Sequence, residues 1–392
     1  MKLYVETDNY KLYNGNMLDM LEVIDENSIT SIVTDPPYEI SMLNRKWDST
    51  GISFNVDTWK TCLKVLKPGG YLVAFCGSRT FHRMVCAIED AGFEIRDVIM
   101  WLYGSGMPKS SNVGKMLEKK FGHPVDDEFY KYGNALKPAY EPIVIARKPI
   151  DGSMIDNMFN NNVGGLNIDE CRIPLTNEKD KETYQFNMDA NNRMTQSDGE
   201  THHRFDGGYK VIKGEREIPD GRFPANVILT YDEDNFNEVC GGLLDTSRYF
   251  YCAKASRRDR DEGLEDFELV TRSDRNPELD TANNQFNRSG VARKNFHPTC
   301  KPVDLMKYLV RLVTPKGGTV LDCFNGSGST GKAVMSENYD RKSNYKYIGI
   351  ELTEEYLPIA KSRIDYAIEH DLKETVKEKK IKEDNYQEEK LW

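Results

Sequence analysis

A strand-like run that ends in two consecutive prolines is the feature that most limits how this chain can fold. Residues 28–34 are mostly apolar and rich in β-branched side chains, which is the pattern of a buried parallel strand. Pro36 and Pro37 follow, and because they fix φ and cannot continue a strand, Asp35 and Tyr38 are held in a stiff turn. Open α/β sheets bind ligands where such strands end, so we expect a binding site at this turn.

Strand-like and helix-like segments alternate on both sides of a long polar stretch. Before residue 150 the sequence predicts strands at 11–14, 71–76, 93–102 and 143–146, and helices over 56–66 and 81–91. After residue 295 it predicts strands at 319–323 and 347–351, and helices over 303–313 and 354–369. This alternation is typical of an α/β fold with a mainly parallel sheet.

The polar stretch between these parts indicates a separate segment. From about residue 151, Asn, Asp, Gly and Arg dominate, and short strands are predicted only at 226–229 and 248–253. The predicted organisation is residues 1–150 and 295–370 as two halves of one domain, residues 151–294 as an insert, and residues 371–392 as a charged tail.

A glycine-rich loop in the C-terminal part predicts a second binding site. Gly326, Gly328 and Gly331 have the spacing G-x-G-x-x-G between a predicted strand and helix, and Glu351 lies 20 residues beyond Gly331. A NAD-dependent dehydrogenase uses this arrangement for pyrophosphate and ribose. S-adenosylmethionine needs the same close-approach glycines and the same carboxylate, so the loop alone leaves both enzyme classes open.

The prolyl turn distinguishes these two classes. An exocyclic amino group of a nucleobase is a poor nucleophile, because its lone pair is delocalised into the ring. The Asp35 carboxylate and the Pro36 carbonyl can each accept one of its N–H groups and so aim the lone pair, while Tyr38 stacks on the base. An ordinary strand exit also contains Asp and Pro, but a dehydrogenase has no use for this turn beside its cofactor. Together the two sites predict an amino-methyltransferase.

The order of the motifs resembles the β class of DNA amino-methyltransferases. In that class an Asp-Pro-Pro-Tyr turn precedes the target-recognition region and a Phe-x-Gly-x-Gly motif comes last; here Asp35–Tyr38 precede the insert and Phe324–Gly328 follow it. Further matches lie at 67–70, 140–144, 297–302 and 349–351. Within the insert, 221–226 and 251–256 are similar to segments of phage and prophage members.

The resemblance implies a fold and a reaction. The fold is an S-adenosylmethionine-dependent, Rossmann-like sheet of seven strands in circularly permuted order, with an inserted target-recognition domain. The reaction is direct methyl transfer to the N6 of adenine in double-stranded DNA, after base flipping. Asp35 favours adenine, because N4-cytosine enzymes of this kind more often carry Ser at that position; N4-cytosine methylation stays open as the alternative.

The resemblance also implies roles for individual residues. The catalytic set is Asp35, Pro36, Pro37 and Tyr38. The cofactor-binding set is Asn16, Thr299, Lys301, Asp322, Phe324, Gly326, Gly328 and Glu351. Glu351 is expected to hold the ribose, and Thr299 and Lys301 to lie near the cofactor carboxylate. Asn16 departs from the family, which usually has Asp there to contact adenine.

Composition and patterning limit the remaining classes and partners. No apolar run approaches the roughly 18 residues of a membrane span, and residues 1–8 have no signal-peptide pattern, so a cytoplasmic protein without membrane contact is expected. His202 and His203 have no partner at ligand spacing, so no metal is predicted. The net charge of −10 does not favour a polyanion overall, but a local basic cleft is sufficient for DNA.

Three questions of function and assembly stay open at this point. A non-catalytic DNA-binding module is disfavoured, because both reactive sites are intact. A restriction–modification role would add a cognate restriction endonuclease as a partner. A homodimer is common in the family.

Overall fold

One mixed β-sheet of ten strands runs through the part of the chain that is described. The computed structural model describes residues 1–40, 46–103, 110–175, 181–182, 184–186, 221–230, 249–270 and 293–369. The strands are β1 (Lys2–Glu6), β2 (Tyr10–Asn14), β3 (Ile29–Thr34), β4 (Leu66–Phe75), β5 (Glu94–Leu102), β6 (Tyr140–Arg147), β7 (Val227–Leu229), β8 (Phe250–Tyr251), β9 (Thr319–Asp322) and β10 (Lys346–Glu351).

The spatial order of the strands is β1-β2-β10-β9-β3-β4-β6-β5-β7-β8. The seven strands from β2 to β5 form the centre, in which β2, β10, β9, β3 and β4 are parallel and β6 is antiparallel to both of its neighbours. This centre corresponds to the seven strands predicted. Its order is permuted as expected, because β9, near the C-terminal end, lies beside β3.

Three further strands extend the predicted seven. β1 forms an antiparallel hairpin with β2 at one edge. At the other edge lie β7 and β8 from the predicted insert; β7 pairs in parallel with β5, and β8 pairs in parallel with β7. The insert therefore contributes strands to the same sheet that carries the prolyl turn.

Helices cover both faces of the sheet. The described helices of more than one turn are α1 (Val56–Val65), α2 (Phe81–Asp90), α3 (Val113–Phe121), α4 (Met154–Asn161), α5 (Arg257–Asp261), α6 (Val303–Val313), α7 (Ser329–Arg341) and α8 (357–369). Successive residues of a strand point to opposite faces, so Val33 packs in the core under α6 and α7, and Ile32 packs in the core under α1 and α2. In α6, Leu305, Leu309 and Leu312 recur at helical spacing and are buried.

Most predicted elements are confirmed, with shifts at their ends. The helix predicted over 56–66 ends at Val65, and residues 67–70 belong to β4, which starts five residues earlier than the strand predicted at 71–76. A Cβ atom on Gly70 would lie 2.9 Å from the Thr30 carbonyl, so the missing side chain lets the strand start close to β3. The last helix begins with a 3₁₀ turn at Glu354–Tyr356. β1, α3, α4 and α5 were not predicted.

The sequence predicts neither membrane contact nor a bound metal. Within the described ranges, none of the helices combines the length and apolar character that a bilayer crossing requires. Among the same residues, no three His, Cys, Asp or Glu side chains cluster as a metal site would need. His202, His203, most of 176–222 and the tail at 371–392 lie outside the described residues.

Candidate active site

A cavity of about 380 Å³ opens at the carboxyl ends of β3, β9 and β10, a size typical of small-molecule and cofactor pockets. Eleven of the twelve predicted site residues line it: Asn16, Asp35, Pro36, Pro37, Tyr38, Thr299, Lys301, Asp322, Phe324, Gly326 and Glu351. Gly328 is not among the lining residues. Its φ is +73° at the start of α7, and a Cβ there would lie 2.9 Å from the Ala360 Cα, so it permits close packing of α7 against α8.

The Asp35 carboxylate has one oxygen with a partner and one without. Oδ2 accepts a hydrogen bond of 2.6 Å from the Lys301 ammonium. Oδ1 is buried and has no hydrogen-bond partner among the described residues. Burial raises the pKa of Asp35, and the nearby Lys301 charge opposes this rise.

The prolyl turn is fixed by hydroxyl groups from two neighbouring segments. Ser53 donates to the Pro37 carbonyl at 2.5 Å, and Thr80 donates to the Tyr38 carbonyl at 2.7 Å. The Pro36 carbonyl has no donor within the described ranges. The turn therefore presents two acceptors that the described chain does not use, Asp35 Oδ1 and Pro36 O.

Glu141 is a site residue to which the sequence analysis assigned no role. Its carboxylate accepts hydrogen bonds from the Tyr38 hydroxyl at 2.9 Å and from the Tyr103 hydroxyl at 3.2 Å. The only signal in the sequence is its place in the 140–144 match to the family. Because β6 is antiparallel to β4, the start of β6 lies at the carboxyl end of the parallel strands, beside the cavity.

Lys301 lies at the prolyl turn. Its side chain is 9% exposed, and its ammonium donates to Asp35 and to the Tyr38 hydroxyl at 3.0 Å, and lies 3.5 Å from the Glu141 carboxylate. Burial disfavours the charged form, but the two carboxylates outweigh this effect and raise the pKa of Lys301. The expectation for Lys301 concerned the cofactor carboxylate, whereas the structure records its contact with Asp35.

Asp322 joins the two strand ends that carry the predicted binding loops. One of its oxygens accepts from the Thr34 hydroxyl at 2.6 Å and from the Phe324 N–H at 3.1 Å. The other accepts from the Thr330 hydroxyl at 2.6 Å. Burial raises the pKa of Asp322 to about 6. With three donors already bound, this carboxylate organises the protein around the cavity.

Glu351 ends β10 with its carboxylate against the glycine loop. Oε2 accepts from the Gly326 N–H at 2.7 Å, and Oε1 accepts from the Thr353 N–H at 2.8 Å. Burial raises the pKa of Glu351 to about 7. Each carboxylate oxygen can accept more than one hydrogen bond, so the group can still bind ligand hydroxyls.

The glycine loop packs tightly against His297. Gly326 has φ of +51°, and a Cβ there would lie 2.9 Å from the His297 ring. The ring Nδ1 contacts the Thr299 carbonyl, and the ring edge packs on Tyr356 at 4.5 Å between centroids. Burial lowers the pKa of His297 to about 4, so the ring is neutral at neutral pH.

Asn16 caps the 3₁₀ helix Met17–Glu22 at the edge of the cavity. Its side-chain oxygen accepts from the Leu18 N–H at 3.1 Å. The side-chain oxygen of Asn16, at the position where the family usually has an Asp that contacts adenine, therefore already holds a backbone donor.

Two more residues near the site were missed. Arg363, fully buried on α8, donates to the Ser327 carbonyl at 2.6 Å and so supports the glycine loop. Lys254, from the predicted insert, lies with its ammonium 3.4 Å from the centre of the Tyr103 ring. Neither contact was predictable from the spacing of residues along the chain.

A glycine loop and an Asp-Pro-Pro-Tyr turn on adjacent parallel strands define a site of the α/β methyltransferase class. A family model described as DNA methylase (N6_N4_Mtase) matches residues 29–362, and the chain belongs to this family. The predicted fold class is thereby confirmed.

Individual relatives are more distant. The chain is 22% identical to the type II methyltransferase M.HindIII of Haemophilus influenzae over 200 residues, which are 40% of this chain and 64% of the relative. It is 37% identical to the DNA adenine methyltransferase YhdJ of Escherichia coli over 89 residues, which are 23% of this chain and 28% of the relative. The chain thus spans less than two thirds of the length of these curated relatives.

Among solved structures, the PvuII DNA methyltransferase (cytosine-N4-specific) aligns with a TM-score of 0.47 and 16% identity. That alignment covers 92% of this chain and 88% of the other.

Proposed function

We propose that this protein transfers the methyl group of S-adenosylmethionine to the exocyclic N6 amino group of adenine in double-stranded DNA. The observation that carries the proposal is the pair of unused acceptors on the prolyl turn, Asp35 Oδ1 and Pro36 O. A buried carboxylate oxygen without a donor costs about 1–3 kcal/mol. An exocyclic amino group supplies two N–H donors, one for each acceptor.

The residues around the cavity fit S-adenosylmethionine. Gly326 has no side chain where a Cβ would collide with His297, so its backbone can approach a ligand closely. Glu351 offers a carboxylate for the two ribose hydroxyls. Phe324 and Thr299 line the same cavity, where they would contact the remainder of the cofactor. When bound, the cofactor supplies an activated methyl group on a sulfonium.

The other residues predicted to bind the cofactor contribute less directly. Asp322 fixes the separation of the two loops through Thr34 and Thr330. Gly328 sets the start of α7, and Asn16 borders the adenine end of the cavity.

In the proposed reaction the chain positions the amino group. A base inside a duplex cannot reach the cavity, so it is flipped out and stacks on Tyr38. Asp35 and Pro36 accept its two N–H groups and direct the nitrogen lone pair at the methyl group. The bound cofactor would supply the methyl group and leave as the neutral thioether, and the methylated nitrogen would release one proton to solvent. No covalent enzyme intermediate is needed, and the acceleration comes mainly from orientation.

Adenine is favoured over cytosine by Asp35 and by the local similarity to YhdJ, a DNA adenine methyltransferase. N4-cytosine methylation is the alternative, since the same two acceptors suit its amino group. Membership of the DNA methylase family argues against a NAD-dependent dehydrogenase and a non-catalytic DNA-binding module.

The proposed domain roles follow the boundaries given above. Residues 1–150 carry the target-base turn, residues 295–370 carry the cofactor loop, and residues 151–294 recognise the DNA sequence. β7 and β8 support the last role, because they attach the insert to the sheet edge next to β5. A restriction endonuclease partner, a homodimer, a cytoplasmic location and a phage or prophage origin stay predictions.

The test is methyl transfer from labelled S-adenosylmethionine to unmethylated duplex DNA, followed by nucleoside analysis. We expect N6-methyladenine from the wild type and none from Asp35→Ala. N4-methylcytosine would correct the base and keep the mechanism. No incorporation, with the cofactor still bound, would contradict a DNA substrate.

A further inference from the structure

A single buried ammonium connects the two residues proposed to hold the target base. Lys301 contacts the Asp35 carboxylate at 2.6 Å and the Tyr38 hydroxyl at 3.0 Å. Asp35 and Lys301 are 266 residues apart, so only the folded chain brings them together. Glu141 completes the group by accepting from Tyr38 at 2.9 Å and by lying 3.5 Å from the ammonium.

Lys301 limits how Asp35 can meet a ligand. Because the ammonium binds Oδ2, Oδ1 is the Asp35 oxygen that has no partner in the described part of the chain and can accept from the amino group. The contact also fixes the orientation of the carboxylate. The hydrogen bond that the Tyr38 hydroxyl donates to Glu141 fixes the hydroxyl end of Tyr38, whose ring would stack on the base.

We propose that Lys301 and Glu141 are positioning residues of the transfer reaction. Lys301 orients the Asp35 carboxylate towards the amino group, and Glu141 sets the plane of the Tyr38 ring. The carboxylate and the ring therefore keep a fixed position relative to each other. This inference rests on the proposed function. It differs from the family-based expectation that Lys301 binds the carboxylate of the cofactor.

The charged groups around Asp35 make the proposal testable through the pH dependence of the transfer rate. The titratable groups near Asp35 are Lys301, Glu141, Tyr38, Cys76 and Asp322. Lys301 lowers the pKa of Asp35 and Glu141 raises it. Since the ionised Asp35 is the stronger acceptor, loss of Lys301 moves the acid limb of the rate profile to higher pH, and loss of Glu141 moves it to lower pH.

The experiment compares Lys301→Met and Glu141→Gln in single-turnover methyl transfer between pH 5 and 9, at saturating S-adenosylmethionine. Misplacement by about 1 Å can cost on the order of 100-fold in rate, and we expect a loss of that size for Lys301→Met. We expect the two acid limbs to shift in opposite directions. Calorimetric affinity for S-adenosylmethionine should change by less than about 3-fold, since positioning acts on the target base.

Lys332→Met is the matched control. Lys332 is also a buried lysine in an ion pair, 2.8 Å from Glu262, and it does not line the cavity. It tests whether loss of any buried lysine lowers the rate through stability alone, and its acid limb should not move. Lys301→Arg, which keeps the charge, should retain the position of the acid limb even where the rate falls.

Four outcomes separate the alternatives. If Lys301→Met loses as much cofactor affinity as transfer rate, Lys301 binds the cofactor and the proposal is overturned. Acid limbs that stay in place in both variants would also overturn it. A wild type that transfers no methyl group to DNA contradicts the proposed function itself, whereas an active wild type with an equally active Lys301→Met variant contradicts only the positioning role.

Discussion

The Thr34 hydroxyl donates a hydrogen bond of 2.6 Å to the buried carboxylate of Asp322. Thr34 is the last residue of β3, directly before the prolyl turn, and Asp322 is the last residue of β9, directly before the glycine loop. The second Asp322 oxygen accepts from Thr330 on α7. One carboxylate therefore sets the distance between the loop proposed for the cofactor and the turn proposed for the base.

Asp322→Asn is expected to lower both stability and transfer rate. The amide has one acceptor oxygen in place of two, so one of the buried hydroxyls of Thr34 and Thr330 loses its acceptor. Such a loss costs about 1–3 kcal/mol, which urea unfolding measures. Thr34→Val and Thr330→Val remove one bond each and serve as comparisons. An unchanged free energy of unfolding in Asp322→Asn would contradict the linking role.

Asp35→Ala is expected to abolish methyl transfer while the cofactor still binds. The variant removes the acceptor that aims the amino group, and loss of one such group at a reacting centre costs about 10²–10³-fold in rate. Single-turnover rates and calorimetry measure the two effects separately. Retained transfer would exclude Asp35 from the reaction.

Cofactor affinity is expected to rise with pH through Glu351. Its pKa of about 7 means that the carboxylate, which is proposed to accept the ribose hydroxyls, is largely protonated at pH 6 and largely ionised at pH 8. One linked proton predicts about tenfold tighter binding over this range. Glu351→Gln should bind the cofactor more weakly, and its affinity should no longer depend on pH. If the variant kept the wild-type pH dependence, that dependence would come from another group.

The same group has the opposite effect on the stability of the free protein. The folded pKa of Glu351 is about 7, above the value of 4.5 for an unburied glutamate. Between these values the folded state binds more protons than the unfolded state, so stability from this group falls as pH rises from about 4.5 to 7. Unfolding of wild type and Glu351→Gln across this window measures the difference.

Gly326→Ala is expected to destabilise the chain and weaken cofactor binding. Its Cβ would lie 2.9 Å from the His297 ring, at a φ of +51°. Gly317 is the matched control, because its φ is +78° but an added Cβ would meet nothing within 4 Å. Gly317→Ala carries only the backbone cost of about 1 kcal/mol, and thermal unfolding should separate the two variants. Equal losses would show that the His297 contact is unimportant.

Local pattern explains why parts of the site were predictable. Asp35 and Glu351 each follow a short apolar strand, and the end of a strand can be recognised from a few neighbouring residues. Lys301 and Glu141 reach the same cavity from distant segments, and their contacts depend on strand order. No spacing rule connects Asp35 with a lysine 266 residues away.

Burial explains the elements that were missed. β1 is mostly exposed at the sheet edge, so it has no apolar alternation to mark it as a strand. α4 leaves Ile155 and Phe159 more than 80% exposed, so its apolar residues do not form a buried stripe. Its capping box between Ser153 and Asp156 is a local signal that would have marked the start of the helix.

The position of β9 between β3 and β10 affects how the protein can fold during translation. β3 is complete at Thr34, but its neighbour β9 begins at Thr319, 285 residues later. β2 likewise lacks its parallel neighbour until β10 has been synthesised. Unpaired strand edges recruit other chains, so the nascent polypeptide carries two unpaired strand edges until β9 and β10 have left the ribosome. A premature stop codon before β9 would leave both edges unpaired, and we expect such a product to aggregate or be degraded.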